Sequence, residues 1–196
     1  MKVNSESRNI ALRLWPLLHR VGDLLKRCED PIFGEYNLTT ERYAVLATMK
    51  FLGDPLRLTD LALGLERSPN SVSMIVDRMV KTGLLTRKRD RGDRRVVYVA
   101  ITSKGENALR LATLPGLEFI QEILSPLSYE DRLTLLSLLE AVKYKTLNYL
   151  NPGVDIEEMR RYDVTKQADL SERVTQYLLP STPQAKGQGR KKKKAI

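Results

Sequence analysis

The chain has 196 residues, 42% hydrophobic and 29% charged, which suits one soluble domain with appendages and a core of useful size. Its formal net charge is +9, but the last eleven residues, Lys186 to Ile196, carry six basic side chains and no acid, so the first 185 net only +3. One cysteine, Cys28, excludes an internal disulfide framework, and no apolar run approaches the roughly 18 residues of a membrane span.

The opening MKVNSESRN lacks the cationic-then-apolar pattern of a secretory signal, so a cytoplasmic protein is expected. Ser5 to Cys28 predicts a long first helix, because Ile10, Leu14, Leu17, Leu18, Val21, Leu24 and Leu25 recur at three- and four-residue spacing. Pro16 predicts a kink or a late start, and Asp30-Pro31 with Phe33-Gly34 marks a loop. Thr39 and Thr40 are candidate caps of a second helix through Phe51, with Tyr43, Leu46, Ala47 and Lys50 on one face. After Gly53-Asp54-Pro55, Thr59 is the candidate cap of a third helix, Asp60 to Leu65, with Leu61, Ala62 and Leu65 inward.

Ser68-Pro69 opens a fourth helix, Ser supplying the capping oxygen and Pro fitting the first turn, and Gly83 stops it. Strands are expected at Leu84 to Arg89 and Val96 to Ile101, joined by Asp90-Arg91-Gly92-Asp93 with Gly92 available for positive φ. Thr102 or Ser103 caps a fifth helix to about Leu124, with Ser103 and Glu106 at capping-box spacing and a disturbance at Pro115-Gly116. Ser128 starts a sixth helix through Leu150, with Leu135, Leu136, Leu139 and Val142 on one apolar face. Ile156 to Asp163 and Leu170 to Leu179 could each form a short helix, and from Pro180 the composition predicts disorder.

The third and fourth helices have helix-turn-helix spacing and run into a hairpin in which six of the ten residues from Thr86 to Arg95 are basic. A helix that fits a major groove, followed by a cationic hairpin that reaches phosphates, is the pattern of a DNA reader. On the fourth helix Val72, Ile75, Val76, Met79 and Val80 should face the core. Asn70, Ser71, Ser73, Met74, Asp77 and Arg78 lie on or near the other face, with Ser68 at its mouth. Short polar side chains there can approach base edges or phosphates, and Arg78 could reach guanine or a phosphate. The plain alternative is a solvated polar face. In the wing Arg91 and Arg94 are candidate phosphate contacts and Arg87 a candidate DNA-binding residue, the alternative being a surface ion pair in a charged turn.

LTTERYAVLATM at 38–49, LTDLALGL at 58–65, SVSMIVDRMVKTGLLTRKRD at 71–90 and DRRVVYVAITSKG at 93–105 resemble the MarR family of winged helix-turn-helix transcriptional regulators. The resemblance implies a mostly helical fold with a small β-hairpin wing, assembled as an intertwined homodimer through the N- and C-terminal helices. It implies that Arg95 enters the minor groove and that Asp93 orients the wing through a carboxylate–guanidinium contact. It also implies relief of DNA binding by a small ligand or an oxidant, and a cleft between the first, second and fifth helices that binds aromatic ligands, for whose wall Trp15, His19, Arg42 and Tyr43 are loose candidates, with dimer packing as the alternative. Cys28 ends the first helix, whereas the peroxide-sensing branch places its cysteine early in that helix, so a bystander thiol is expected.

The expected organisation is an N-terminal dimerisation helix and loop over 1–37 and a winged helix-turn-helix DNA-binding domain over 38–105. C-terminal dimerisation helices follow over 106–150, then an extension over 151–179 and a disordered basic tail over 180–196. The function expected is a homodimeric, sequence-specific regulator, more naturally a repressor, acting on a pseudo-palindromic double-stranded operator, with no cofactor and no membrane partner. The rivals are a nonspecific architectural or single-strand binder, a winged-helix protein-interaction module, and an enzyme. One histidine and one cysteine support no metal site, and no Gly-rich phosphate loop or nucleophile–histidine pair supports catalysis.

Overall fold

The computed structural model describes residues 5–90, 92–93, 95–153 and 155–178. Among the described residues, seven helices and three short strands follow in the order α1 (Ser5–Gly34), α2 (Thr40–Leu52), β1 (Leu56–Arg57), α3 (Leu58–Gly64), α4 (Pro69–Lys81), β2 (Leu85–Arg89), β3 (Val97–Ile101), α5 (Ser103–Ile123), α6 (Tyr129–Leu150) and α7 (Ile156–Leu178). The strands form one antiparallel sheet in the order β1-β3-β2, with Leu85 opposite Ile101 and Arg89 opposite Val97. Among the described residues no helix is long and apolar enough to cross a membrane.

The core lies where α2, α3, α4 and α5 meet the sheet. Leu46, Met49, Leu61, Val72, Val76, Met79, Val99 and Leu109 are fully buried there. Val45 and Met49 join Leu46 on the inner face of α2, where Tyr43, Ala47 and Lys50 are only half-buried. Local caps follow the sequence at Thr39, Ser68 and Ser128, the last with a full capping box to Asp131. Gly83, at φ +75°, accepts the left-handed turn that ends α4.

Several sequence expectations are corrected. No loop forms at Asp30-Pro31, because α1 runs on to Gly34. Phe33 is buried and stacks on Tyr43 with ring centroids 4.2 Å apart, and Asp30 Oδ1 accepts the Thr40 N–H and hydroxyl. These contacts outweigh the one helical bond that Pro31 forfeits. Pro16 likewise sits inside the helix, which excludes a late start there. α3 starts at Leu58 instead of Asp60, with no side-chain cap, because β1 pairs with β3 and hands the chain straight into the helix.

Thr102, not Ser103, caps α5, its hydroxyl oxygen accepting the Gly105 N–H at 3.0 Å. α5 also passes unbroken through Pro115-Gly116: a Cβ on Gly116 would come within 3.1 Å of the Phe33 ring, so the glycine admits α1 to close contact. Asp90 organises the wing turn, its carboxylate accepting the Gly92 and Asp93 N–H groups. The two short C-terminal helices are one, α7. The expected disordered tail lies outside the described residues.

Candidate nucleic-acid interface

The α3–α4 turn is built by local hydrogen bonding. Glu66 takes a left-handed conformation at φ 51°, and the Arg67 N–H donates to Ala62 O at 3.0 Å. Ser68 Oγ accepts the Ser71 N–H at 3.3 Å and its hydroxyl donates to Ser71 Oγ at 2.9 Å. Both hydroxyls therefore sit at the mouth of α4, whose first turn holds no acid to offset the helix dipole. Burying Val72, Val76 and Met79 turns Asn70, Ser71, Met74, Asp77 and Arg78 outward to solvent, with Ser73 half-buried at the margin. Met74, 59% exposed, gives this polar face one apolar contact of the kind that meets a thymine methyl.

The wing is joined to that helix by Arg87 on β2. Its guanidinium pairs with Asp77 and donates to Ser73 Oγ at 3.0 Å, both on α4. Arg87 is thus committed to holding helix and wing together, a role that linear spacing did not reveal. At the turn, Asp90 Oδ1 accepts the Gly92 N–H at 2.7 Å and the Asp93 N–H at 3.0 Å. These bonds, the one from Asp93 foremost, hold the Asp90 carboxyl below the usual range. Asp93 Oδ1 accepts the Arg95 backbone N–H at 2.9 Å. Arg95 is exposed, and among the described residues no side chain pairs with its guanidinium. Arg91 and Arg94 lie outside the described residues.

Two cations escaped the sequence reading. Arg57 on β1 stands opposite Tyr98 on β3, donating from Nε to the phenol oxygen at 3.4 Å. It joins the wing only through strand pairing, and only the pairing partner could have betrayed it. Lys104 Nζ donates to Thr82 O at 2.8 Å, a cation against the C-terminal carbonyls of α4.

The four ligand-cleft candidates do not converge in the protomer. Trp15 and His19 form an edge-to-face pair, centroids 5.1 Å apart, on an exposed stretch of α1. Tyr43 stacks on Phe33, which lies roughly 27 Å along the helix from Trp15 at about 1.5 Å per residue. Burial, above all, pushes the Tyr43 hydroxyl pKa up. Arg42 instead lines a cavity of about 670 Å³ with Tyr36, Leu38, Leu84, Lys104 and Leu111. Cys28 is exposed, and among the described residues no cluster of three or more metal-ligating side chains occurs.

Residues 36–96, spanning α2 through the wing turn, match the MarR family. The likeness to that family thus spans the helix-turn-helix and the wing. The HTH-type transcriptional regulator PecS of Dickeya dadantii is 29% identical over 133 residues, covering 67% of this chain and 80% of that protein. The organohalide-sensing regulator RdhR-CbdbA1625, solved with 2,4-dichlorophenol bound, superposes with a TM-score of 0.70 at 22% identity, covering 78% of this chain and 92% of that one. A MarR variant from E. coli in complex with operator DNA gives a TM-score of 0.63 at 23% identity, over 68% of this chain and 96% of that one. These likenesses establish the winged-helix fold of the chain, and the curated relatives it resembles are named as HTH-type transcriptional regulators.

Proposed function

We propose that the protein is a homodimeric, sequence-specific double-stranded DNA-binding transcriptional regulator, acting as a repressor relieved by a small aromatic ligand. The observation that carries this reading is the Arg87 tether, which sets the exposed polar face of α4 and the cationic wing side by side. α4 would read the major groove, and Arg95 the flanking minor groove. Leu14, Trp15 and Leu17 on α1 and Leu135, Leu136, Leu139 and Val142 on α6 are exposed in the protomer, a large apolar area that a second copy would cover. Two lobes so joined would read half-sites about one helical turn apart. The cavity lined by Arg42 and Lys104, partly apolar and with Glu35 as its one carboxylate, is of a size and polarity for a small aromatic ligand.

The test is salt-titrated fluorescence anisotropy on DNA upstream of the protein's own gene, against a scrambled duplex. Arg95→Ala is expected to weaken operator binding by about 1–3 kcal/mol with stability unchanged. Unaltered affinity in a folded Arg95→Ala protein refutes the minor-groove role. Equal, steeply salt-dependent binding of wild type to both duplexes favours a nonspecific architectural protein instead.

A further inference from the structure

Glu66 and Arg67, adjacent in the α3–α4 turn, carry opposite charges, and each is paired with helices outside that turn. Arg67 stands 3.8 Å from Glu41 of α2, which Lys26 of α1 meets at 3.3 Å. These three side chains are 37–51% exposed, so that relay contributes little. Glu66 instead pairs with Lys143 of α6, whose ammonium also meets Asp163 of α7 at 2.8 Å. Lys143 is 31% exposed and Asp163 19%, and Asp163 Oδ2 also accepts the hydroxyl of buried Tyr144 at 2.9 Å. The second relay is therefore the less screened of the two. α7 itself is fixed at its far end, where Arg173 Nη1 donates to Phe51 O at 2.7 Å and the Tyr177 hydroxyl to Glu106 O at 3.4 Å. Lys143 is thus held by α6 and α7 together and does not follow the turn if the turn shifts.

We propose that Lys143, through Glu66, is a positioning residue that fixes α4 against the dimerisation helix α6 and makes the protein selective for half-site spacing. The inference rests on the reading of the protein as a homodimeric DNA-binding regulator. Glu66 lies at φ 51°, a left-handed conformation that glycine adopts freely and glutamate does not. Glycine would close the turn equally well but would offer Lys143 no carboxylate. Glu66 also stands two residues before Ser68, the cap of α4, so whatever holds its carboxylate holds the mouth of that helix. On α6, Lys143 follows Val142 and lies one turn from Leu139, both exposed in the face that a second copy would cover. The route from one copy's α4 to the other copy therefore consists of one ion pair and one helix. Each base pair moves a half-site about 3.4 Å along the DNA and about 35° around it, a displacement that two braced lobes cannot follow.

The experiment measures anisotropy of the full-length protein on the operator duplex and on the same duplex with about two base pairs inserted between the half-sites. The ratio of the two affinities cancels any loss of folded protein, so a purely stabilising role leaves it unchanged. Wild type is expected to prefer the native spacing, Lys143→Gln to lower that preference by at least about fivefold, and Lys143→Arg to keep it. Glu66→Gln should match Lys143→Gln, and the double variant should be no worse than either, as one shared contact requires. A preference unchanged within about twofold in Lys143→Gln overturns the proposal. So does a wild type that favours the operator over a scrambled duplex yet accepts both spacings equally. Wild type that favours neither operator nor spacing fails the regulator reading, and amide exchange then judges the brace without DNA. In Lys143→Gln the Arg67 and Val72 amides, bonded to Ala62 O and Ser68 O, should exchange at least about fivefold faster, while the Leu109 amide inside α5 keeps its rate. Equal acceleration at all three amides overturns the proposal on that measurement too.

Discussion

Removing the Arg87–Asp77 tether separates a structural arginine from a DNA-contacting one. The Arg87 side chain is 27% exposed and Asp77 53%, so the pair stands between surface pairs worth about 0.2–1 kcal/mol and buried pairs whose breakage costs about 3–5 kcal/mol. Arg87 also donates to Ser73 Oγ. We expect Arg87→Ala to cost about 1.5 kcal/mol, Asp77→Ala about 0.7, and the double-mutant cycle to yield a coupling of about 1 kcal/mol. Urea unfolding of the four proteins measures all three. On DNA, Arg87→Ala should lower operator affinity about tenfold by loosening the wing against α4, while the salt slope changes by less than about 0.5, because this guanidinium is already occupied. A slope that drops by about 0.9 with no coupling would make Arg87 a phosphate contact and refute the tether.

Other perturbations probe the scaffold. A Cβ on Gly105 would overlap the Leu84 carbonyl oxygen, so Gly105→Ala should cost about 2 kcal/mol or more, whereas Gly22→Ala meets nothing within 4 Å and should stabilise by about 0.5 kcal/mol in thermal unfolding. Lys143 sits between Glu66 in the helix-turn-helix turn and Asp163 on α7. Lys143→Met should therefore cost about 1–2 kcal/mol in urea unfolding and Lys143→Arg much less; equal losses would exclude the ion pairs as the cause. Burial works against the Lys143 ammonium, but hydrogen bonds to Asp163 and Glu66 prevail and raise its pKa. Its stabilisation is complete below the ordinary lysine range and drains only as pH rises through the raised value. Asp30 behaves oppositely: hydrogen bonds from Thr40, the backbone N–H foremost, hold its carboxyl below the usual range. Its contribution is full above the ordinary carboxylate range and is lost as pH falls through the lowered value, so the stability gap between wild type and Asp30→Asn should narrow from pH 7 to pH 3. A gap independent of pH would remove Asp30 from that account.

The helix boundaries at Thr39, Ser68, Gly83 and Ser128 could be read from the chain because each is settled by hydrogen bonds or backbone freedom within four residues. The polar face of α4 and the cationic wing were legible for the same reason, since alternation and helical spacing place their side chains without outside help. Elements whose partners are distant in sequence were not. The last turn of α1 depends on Phe33 meeting Tyr43, β1 exists only as a partner of β3, and Arg87 reveals its tether only when β2 lies against α4. α7 is the extreme case: Arg173 finds the Phe51 carbonyl 122 residues away. Sequence alone determined the kind of surface this protein offers, because polarity and charge are properties of the residues themselves. Tertiary structure decided which of those charges remain available to a partner and where the C-terminal arm is anchored, because both depend on which distant groups have already claimed their hydrogen bonds.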